Sequence, residues 1–464
     1  MPPAPPLLRR RCTDEYPALP YSRADRRALR DLRDRVPAAA RAAGLPERAY
    51  AYDRRGTAAT LRAVDAAHGG GFFAVPPEAE TELAAADEAF RGGLPVVDVQ
   101  THLVDPGRWG GPGSKALGGF LQAADPERWA EIDPARIDGT AWASLVFGTS
   151  ETAVALLTST PGTPEHNVLS NPQIAAARDV VDRYAGSGRV LTHTIVHPNL
   201  GAAELDHMVG WHDELRPTGW KVYTLWGPPT AAAPSGGWFL DDDEVGFPFL
   251  ERVRALGPRV VATHKGISGP IHEAAVTAGS PRDIGPAALA FPDIDFVVYH
   301  SGYEPDANGQ EGPYDAHGEA RGTDRLVRSL AGAGVGPGGN VYAELGTTWF
   351  LMLRRPAEAA HVLGKLLRAL GPGNVIWGTD SIWYGSPQHL IDAFRAFQIP
   401  PSFQERYGYP ALTPEVKDAI LSSNARRVYG ITDDQVAAAA AQSPGWVTNA
   451  AAELRTAVDA ARNL

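Results

Sequence analysis

From Leu94 to Asp380, short β-branched apolar runs alternate with longer stretches of helical periodicity. The runs 95–100, 141–147, 189–197, 219–224, 259–264, 294–300, 340–344 and 374–380 read as strands. Between several of them the pattern turns helical, as at 172–185, 324–333 and 357–370. Strand-then-helix units repeated in this way build a parallel sheet, and eight of them close into a (β/α)₈ TIM barrel. An open doubly wound sheet is the competing architecture, but no strand is followed by a Gly-x-Gly-x-x-Gly turn.

The barrel pattern is expected to span 93–432. Residues 1–92 read as a helical extension, with helices at 23–43 and 77–91 and a loop at Gly69-Gly70-Gly71, and with a packing cap as its role. A helical tail is expected over 433–464. The stretch 225–243 reads as a loop over the barrel mouth. Its Pro, Gly and Trp content suits a lid or substrate wall, although packing is the commoner role of such loops. Asp241-Asp242-Asp243-Glu244 reads as an acidic helix start rather than a calcium loop.

Composition narrows the chemistry. With a formal net charge of −11 and no dense Lys/Arg stripe, a nucleic-acid partner is not expected. No apolar run approaches the ~20 residues of a membrane span. The start, Leu7-Leu8-Arg9-Arg10-Arg11, has a twin-arginine look. It is followed by Thr13-Asp14-Glu15-Tyr16 instead of an apolar segment, so a cytoplasmic location is expected. Cys12 is the only cysteine, so any metal must be held by nitrogen and oxygen donors, which suits iron, manganese or zinc. Neither a Gly-x-Ser-x-Gly elbow nor a P-loop is present.

Groups able to bind metal recur at the strand C-termini, where barrel enzymes place their chemistry. Strand alternation puts Asp98, Gln100 and His102 on one face directed into the barrel. Lys221 lies on the fourth strand, and His264, His300, Glu344 and Asp380 end the fifth to eighth; His197 ends the third, with His193 deeper and expected to pack. Each has a plain alternative: a core histidine, a helix cap for Asp380, an ion pair for Glu344, a snorkelling Lys221. The coincidence of five or six competent strand ends in barrel order is what those alternatives leave unexplained. Asp98 and Thr263 stand near enough in sequence to fix the histidine tautomers.

This ordering resembles the amidohydrolase superfamily of metal-dependent barrels, particularly its decarboxylase-like branch, over about residues 95–432. The runs Phe296-Val297-Val298-Tyr299-His300-Ser301-Gly302 and Trp377-Gly378-Thr379-Asp380 carry the resemblance, with the closing segment Ile420-Leu421-Ser422-Ser423-Asn424-Ala425-Arg426-Arg427-Val428-Tyr429-Gly430. The departure is on the first strand, where Gln100-Thr101-His102 replaces the family's His-x-His. An amide oxygen is a weaker ligand than an imidazole. With that departure, the chain resembles the barrel-fold nonheme diiron monooxygenases of platensimycin and platencin biosynthesis.

That resemblance implies two Fe ions, with Mn or Zn as alternatives, held by Gln100, His102, His197, His264, His300, Glu344 and Asp380, and by Lys221 if carboxylated. It implies O₂-dependent hydroxylation of an unactivated carbon in secondary metabolism, such as antibiotic biosynthesis. The substrate would be a bulky apolar, terpenoid-like small molecule, carried as a coenzyme A thioester. Asp380 and Glu344 would be catalytic. Trp109, Trp226, Trp238, Trp349 and Trp383 lie near strand ends and are candidates to wall an apolar pocket, or to pack between barrel and helices. The alternative is an ordinary amidohydrolase-type hydrolase or decarboxylase with Asp380 as general base. A non-catalytic partner subunit is the third reading. A homodimer is the expected assembly on symmetry grounds.

Overall fold

A computed structural model describes residues 4–109, 126–162, 164, 167–268, 273–305, 311–318 and 320–464. Eight parallel strands follow one another around a single sheet: β1 (Val96–Thr101), β2 (Thr152–Leu157), β3 (Val190–Ile195), β4 (Gly219–Val222), β5 (Val260–His264), β6 (Asp295–Tyr299), β7 (Val341–Glu344) and β8 (Val375–Ile376). The ring closes through the residues that follow β8. Val99 N–H donates to Trp377 O at 3.0 Å, Asp380 N–H to Gln100 O at 2.8 Å, and His102 N–H to Ser381 O at 2.6 Å. These three bonds bring the ends of β1 and β8 together, and with them His102 and Asp380. The expected (β/α)₈ barrel is therefore present.

The second strand lies elsewhere than its expected position at 141–147. That stretch is a helix, Gly139–Ala143, running on as a π-turn over Ser144–Gly148. The Asp138 carboxylate caps it by accepting from Ala141 N–H, and Trp142, Ala143, Val146 and Phe147 are buried at helical spacing. The strand itself is Thr152–Leu157, buried on both faces. Its Ala and Leu content has weak strand preference, unlike the Val, Ile and Thr of the strands that are equally buried on both faces.

Before the barrel, helices cover Arg23–Ala42, Arg54–Ala67 and Leu83–Ala89. The second was not foreseen, and the expected helix at 77–91 is split into a 3₁₀ turn, Pro77–Glu80, and Leu83–Ala89. A Ser22/Asp25 capping box starts the first. Ala74 N–H donates to Ala396 O at 2.8 Å, tying this part to the barrel wall. Ahead of these helices the chain does more than cap the barrel. Thr13, Asp14 and Glu15 are at most 1% exposed and lie over the strand C-termini. Among the described residues, no helix is long and apolar enough to cross a membrane.

In the 225–243 loop, Trp238, Phe239 and Leu240 are buried, and Leu240 N–H donates to Asp283 at 2.8 Å, so this part of the loop packs. Asp242 accepts from the N–H groups of Glu244 and Val245 just ahead of the helix Gly246–Leu256, the acidic helix start expected. After the barrel, Asn424 fastens the closing helix Asn424–Tyr429. Its amide donates to Pro372 O and Val375 O, both at 2.8 Å. The last long helix, Gly445–Ala460, buries Trp446, Val447, Ala450, Leu454 and Val458 and packs on Asn171–Ala185.

Replacing Asn424 by Ala strands two backbone carbonyls at the base of β8. The expected cost is about 1–3 kcal/mol, read from urea unfolding; a change within about 0.5 kcal/mol, the range of an ordinary surface substitution, would remove Asn424 from this role.

Candidate metal centre

Two groups of donors, all buried, meet over the strand C-termini. In the first, Glu15, His264 and His300 bring one ligand atom each within 4.8 Å of one another; in the second, Asp14, His102 and Asp380 do the same. His264 Nδ1 lies 3.0 Å from Glu15 Oε1, His300 Nε2 lies 3.0 Å from Glu15 Oε2, and His102 Nε2 lies 2.7 Å from Asp380 Oδ1. Asp14 and Glu15 are consecutive, so the two groups adjoin.

The opposite nitrogen of each ring is already committed. His102 Nδ1 faces Thr158 O at 2.9 Å, His264 Nε2 faces Gly266 O at 2.8 Å, and His300 Nδ1 faces Gly346 O at 2.7 Å. A carbonyl only accepts, so the nitrogen facing it must carry the proton. In a neutral ring the other nitrogen is then a lone pair, and each lone pair is turned toward a carboxylate. At these short separations the pairs still lack hydrogen-bond geometry. His102 Nε2, His264 Nδ1, His300 Nε2, Asp380 Oδ1 and the carboxylate oxygens of Asp14 and Glu15 have no hydrogen-bond partner. Buried acceptors facing buried acceptors are costly unless positive charge lies between them. Nitrogen and carboxylate donors with one ring nitrogen fixed from behind fit a divalent cation in each group. Such a set suits manganese, iron and zinc alike, so the donors do not single out iron.

Electrostatics agree. Burial raises the Asp14 carboxyl well above the usual range, reinforced by Asp380 and Glu15. Burial would raise Glu15 too, but His300 and His264 outweigh it and hold Glu15 well below the usual range. Burial would lower the His300 imidazolium, yet Glu15 overrides it and lifts it to about 9. A proton and a cation thus compete for the same His300 lone pair.

The backbone is held in unusual conformations here. His300 and Asp380 have φ of 65° and 58°, in the left-handed region that a side chain makes costly by about 1–3 kcal/mol each. The Asp380–Gln100 backbone bond holds one, and Glu344 Oε2, accepting from His300 N–H at 3.2 Å, holds the other.

Of the eight residues expected as ligands, four (His102, His264, His300 and Asp380) stand in the two groups. Glu344 stands behind them. Its Oε1 accepts from Gly346 N–H at 2.6 Å while Oε2 holds His300, and burial raises its carboxyl to about 8. Both oxygens thus position the strand end, and Glu344 belongs to neither donor group. Gln100 sits beside it. A Cβ on Gly346 would come within 2.1 Å of Gln100 Oε1, and one on Gly378 within 1.9 Å of Glu344 Oε1. Only glycine leaves room there.

Lys221 is fully buried, its Nζ 3.6 Å from the Tyr299 ring centre and without a hydrogen-bond partner; burial lowers its ammonium to about 7. His197 lies outside both groups, its backbone N–H bound to Glu204 at 2.9 Å, because β3 ends at Ile195 and the chain then turns away. His193 packs under Tyr299, 3.3 Å from its hydroxyl, as expected. Asp98 does not orient a histidine: it accepts from Thr379 N–H at 2.9 Å and its hydroxyl at 2.5 Å, stitching β1 to the residues after β8. Backbone carbonyls fix the tautomers instead. Trp238 packs on Phe249, and Trp349 on Phe394 and Phe397, rather than walling a pocket.

Sequence reasoning missed Asp14, Glu15 and the chain Tyr384–Thr347–Asp380, in which Tyr384 Oη lies 2.7 Å from Thr347 Oγ1 and that hydroxyl donates to Asp380. An acidic pair amid Arg- and Pro-rich sequence was the one available signal for the first two.

Residues 97–431 match the amidohydrolase family. The chain belongs to that family. No curated protein sequence matches the chain. Among solved structures it is similar to 5-carboxyvanillate decarboxylase from Sphingomonas paucimobilis (15% identity, TM-score 0.44, 73% of this chain and 100% of that one). It is also similar to 2,6-dihydroxybenzoate decarboxylase from Rhizobium (13%, 0.42, 73% and 99%). A third is the dihydroxybenzoic acid decarboxylase from Polaromonas sp. JS666 with bound manganese (13%, 0.41, 74% and 99%). Likenesses of this order say nothing of the reaction.

Family membership overturns the expectation of a diiron monooxygenase. Amidohydrolase chemistry is hydrolytic or lytic, so O₂ activation, hydroxylation of a terpenoid-like substrate and a place in antibiotic biosynthesis are withdrawn with it. Gln100, the residue on which that reading turned, lies beside Glu344 with both amide atoms buried and without a hydrogen-bond partner, and an amide there does not set the reaction apart from that of the family.

Glu15→Gln and Asp14→Asn are each expected to lower manganese content by roughly one ion per chain in elemental analysis, whereas His197→Ala leaves it unchanged. Unchanged content in both acidic variants would disconnect the N-terminal segment from metal binding. Because a cation must displace the His300 proton, manganese affinity should rise about tenfold per pH unit up to about 9 and level off above it. A flat titration profile between about pH 6.5 and 8.5 would contradict that competition.

Proposed function

We propose that the chain is a metal-dependent lyase of amidohydrolase type that decarboxylates a small organic acid, with hydrolysis of an amide or ester as the second reading. What supports a metal centre is the set of histidine lone pairs facing buried carboxylates with no partner between them. Two divalent cations would be held, one by Glu15, His264 and His300 and the other by Asp14, His102 and Asp380. When bound they supply Lewis-acid polarisation of a substrate oxygen.

The site's dryness favours decarboxylation. All six donors are at most 1% exposed. Hydrolysis consumes a water molecule, whereas decarboxylation disperses a carboxylate's charge as the C–C bond breaks, a change that desolvation assists. The electron pair of that bond stays on carbon, CO₂ departs, and the carbon takes a proton. In this reading Lys221 hands it over: its buried amine has no hydrogen-bond partner and lies in the field of Glu15, Glu344, Asp380 and Asp14. In the hydrolytic reading Asp380, steadied by Thr347, is the proton acceptor.

The test is turnover by manganese-loaded protein, with CO₂ release from 5-carboxyvanillate, 2,6-dihydroxybenzoate and other aromatic acids set against product formation from amides, esters and lactones. CO₂ release that is abolished by His264→Ala, and lowered about 10²-fold or more by Lys221→Met at unchanged metal content, is the expected result. Hydrolysis alone would select the second reading; full activity after metal removal would defeat both.

A further inference from the structure

The segment that delivers Asp14 and Glu15 to the centre also carries Arg9 and Arg11 into a separate cavity of about 420 Å³. Beside them the cavity is lined by Tyr52, Arg54, Tyr384 and Asp392. Arg54 is neutralised, paired with Asp87 at 3.0 Å, with Asp392 at 3.3 Å and with Glu151. The other two arginines are not. Arg9 Nε donates to Ala4 O at 3.0 Å and its guanidinium sits 5.6 Å from the Tyr52 ring centre, while Arg11 is half-buried. Among the described residues no carboxylate comes within ion-pair distance, 4.0 Å, of either. Two like charges are thus brought to one cavity by alternate residues of one segment. The one carboxylate in its wall, Asp392, is also held by Gln388 at 2.8 Å.

Tyr384 links this cavity to the centre. It lines the cavity, and its hydroxyl joins the Thr347 hydroxyl that donates to Asp380. We infer that the cavity is a subsite for an anionic group of the substrate, a carboxylate or phosphate held by Arg9 and Arg11, on a molecule whose reacting end lies beyond Tyr384. Guanidinium groups match the paired oxygens of either anion, and an anion between them relieves their mutual repulsion. The inference rests on the centre being the reacting site, and it adds a second anionic group remote from the bond that breaks. Arg9 and Arg11 lie outside the family-matched residues, so this specificity belongs to the N-terminal segment.

Calorimetric titration of the full chain with inorganic phosphate and with benzoate tests the subsite without requiring turnover. One site per chain is expected, weakened about tenfold or more by Arg9→Gln and by Arg11→Gln, partly kept by Arg11→Lys, and unmoved by Arg136→Gln. Tighter phosphate than benzoate marks a phosphorylated substrate, and the reverse order a dicarboxylate-type one. His264→Ala should leave binding intact, so a failed metal centre and a failed subsite are separately visible. Absence of binding by either probe, binding indifferent to both arginine substitutions, or binding lost only with His264→Ala would overturn the subsite.

Discussion

Three imidazole rings each spend one nitrogen on a backbone carbonyl and turn the other toward a carboxylate in a volume closed to water. That arrangement is the constraint around which the rest of the mouth is built. Lone pair against carboxylate is repulsive at about 3 Å, and burial removes the solvent that would relieve it. Only positive charge between the groups makes it favourable. A proton can serve singly, as the raised His300 imidazolium shows, but two adjoining groups of like design fit two cations better.

The surrounding structure can be read as support for that arrangement. The barrel brings strand ends remote in sequence to one mouth, and the seam between β1 and the residues after β8 sets His102 against Asp380. Glu344 spends both oxygens on backbone N–H groups and so holds His300 in a conformation it would not otherwise adopt. The N-terminal segment then closes the mouth with the two carboxylates that complete the donor groups. Those carboxylates come from outside the residues that place the chain in its family, so the same barrel without this segment would have a different and more open site.

The barrel was legible in the sequence because strand C-termini advertise themselves: an apolar run followed by His, Glu or Asp is a local pattern, repeated five times. The exception, β2, has Ala and Leu where the other strands carry Val, Ile, Thr or aromatic residues, so it lacks the composition by which a buried strand is recognised, while the neighbouring helix carries the aromatic and β-branched residues that mimic one. His102, His264, His300 and Asp380 were found from their position alone. Glu344 was found too, but its side chain turns to the backbone, which no spacing rule reveals. Asp14 and Glu15 were missed for a deeper reason. They reach the centre through tertiary packing of an irregular segment, and nothing in their neighbours' periodicity records where that segment goes. The family-level resemblance held, whereas the finer one, to a diiron monooxygenase, did not, because it turned on one amide in place of an imidazole while the family match points to hydrolytic or lytic chemistry.

The most direct measurement is anomalous diffraction at the manganese edge from crystals of the full chain grown with Mn²⁺. The account predicts two peaks, one bounded by Glu15, His264 and His300 and the other by Asp14, His102 and Asp380. A single peak coordinated by Gln100, Glu344 or His197, or no peak between the histidines and the N-terminal carboxylates, would contradict it.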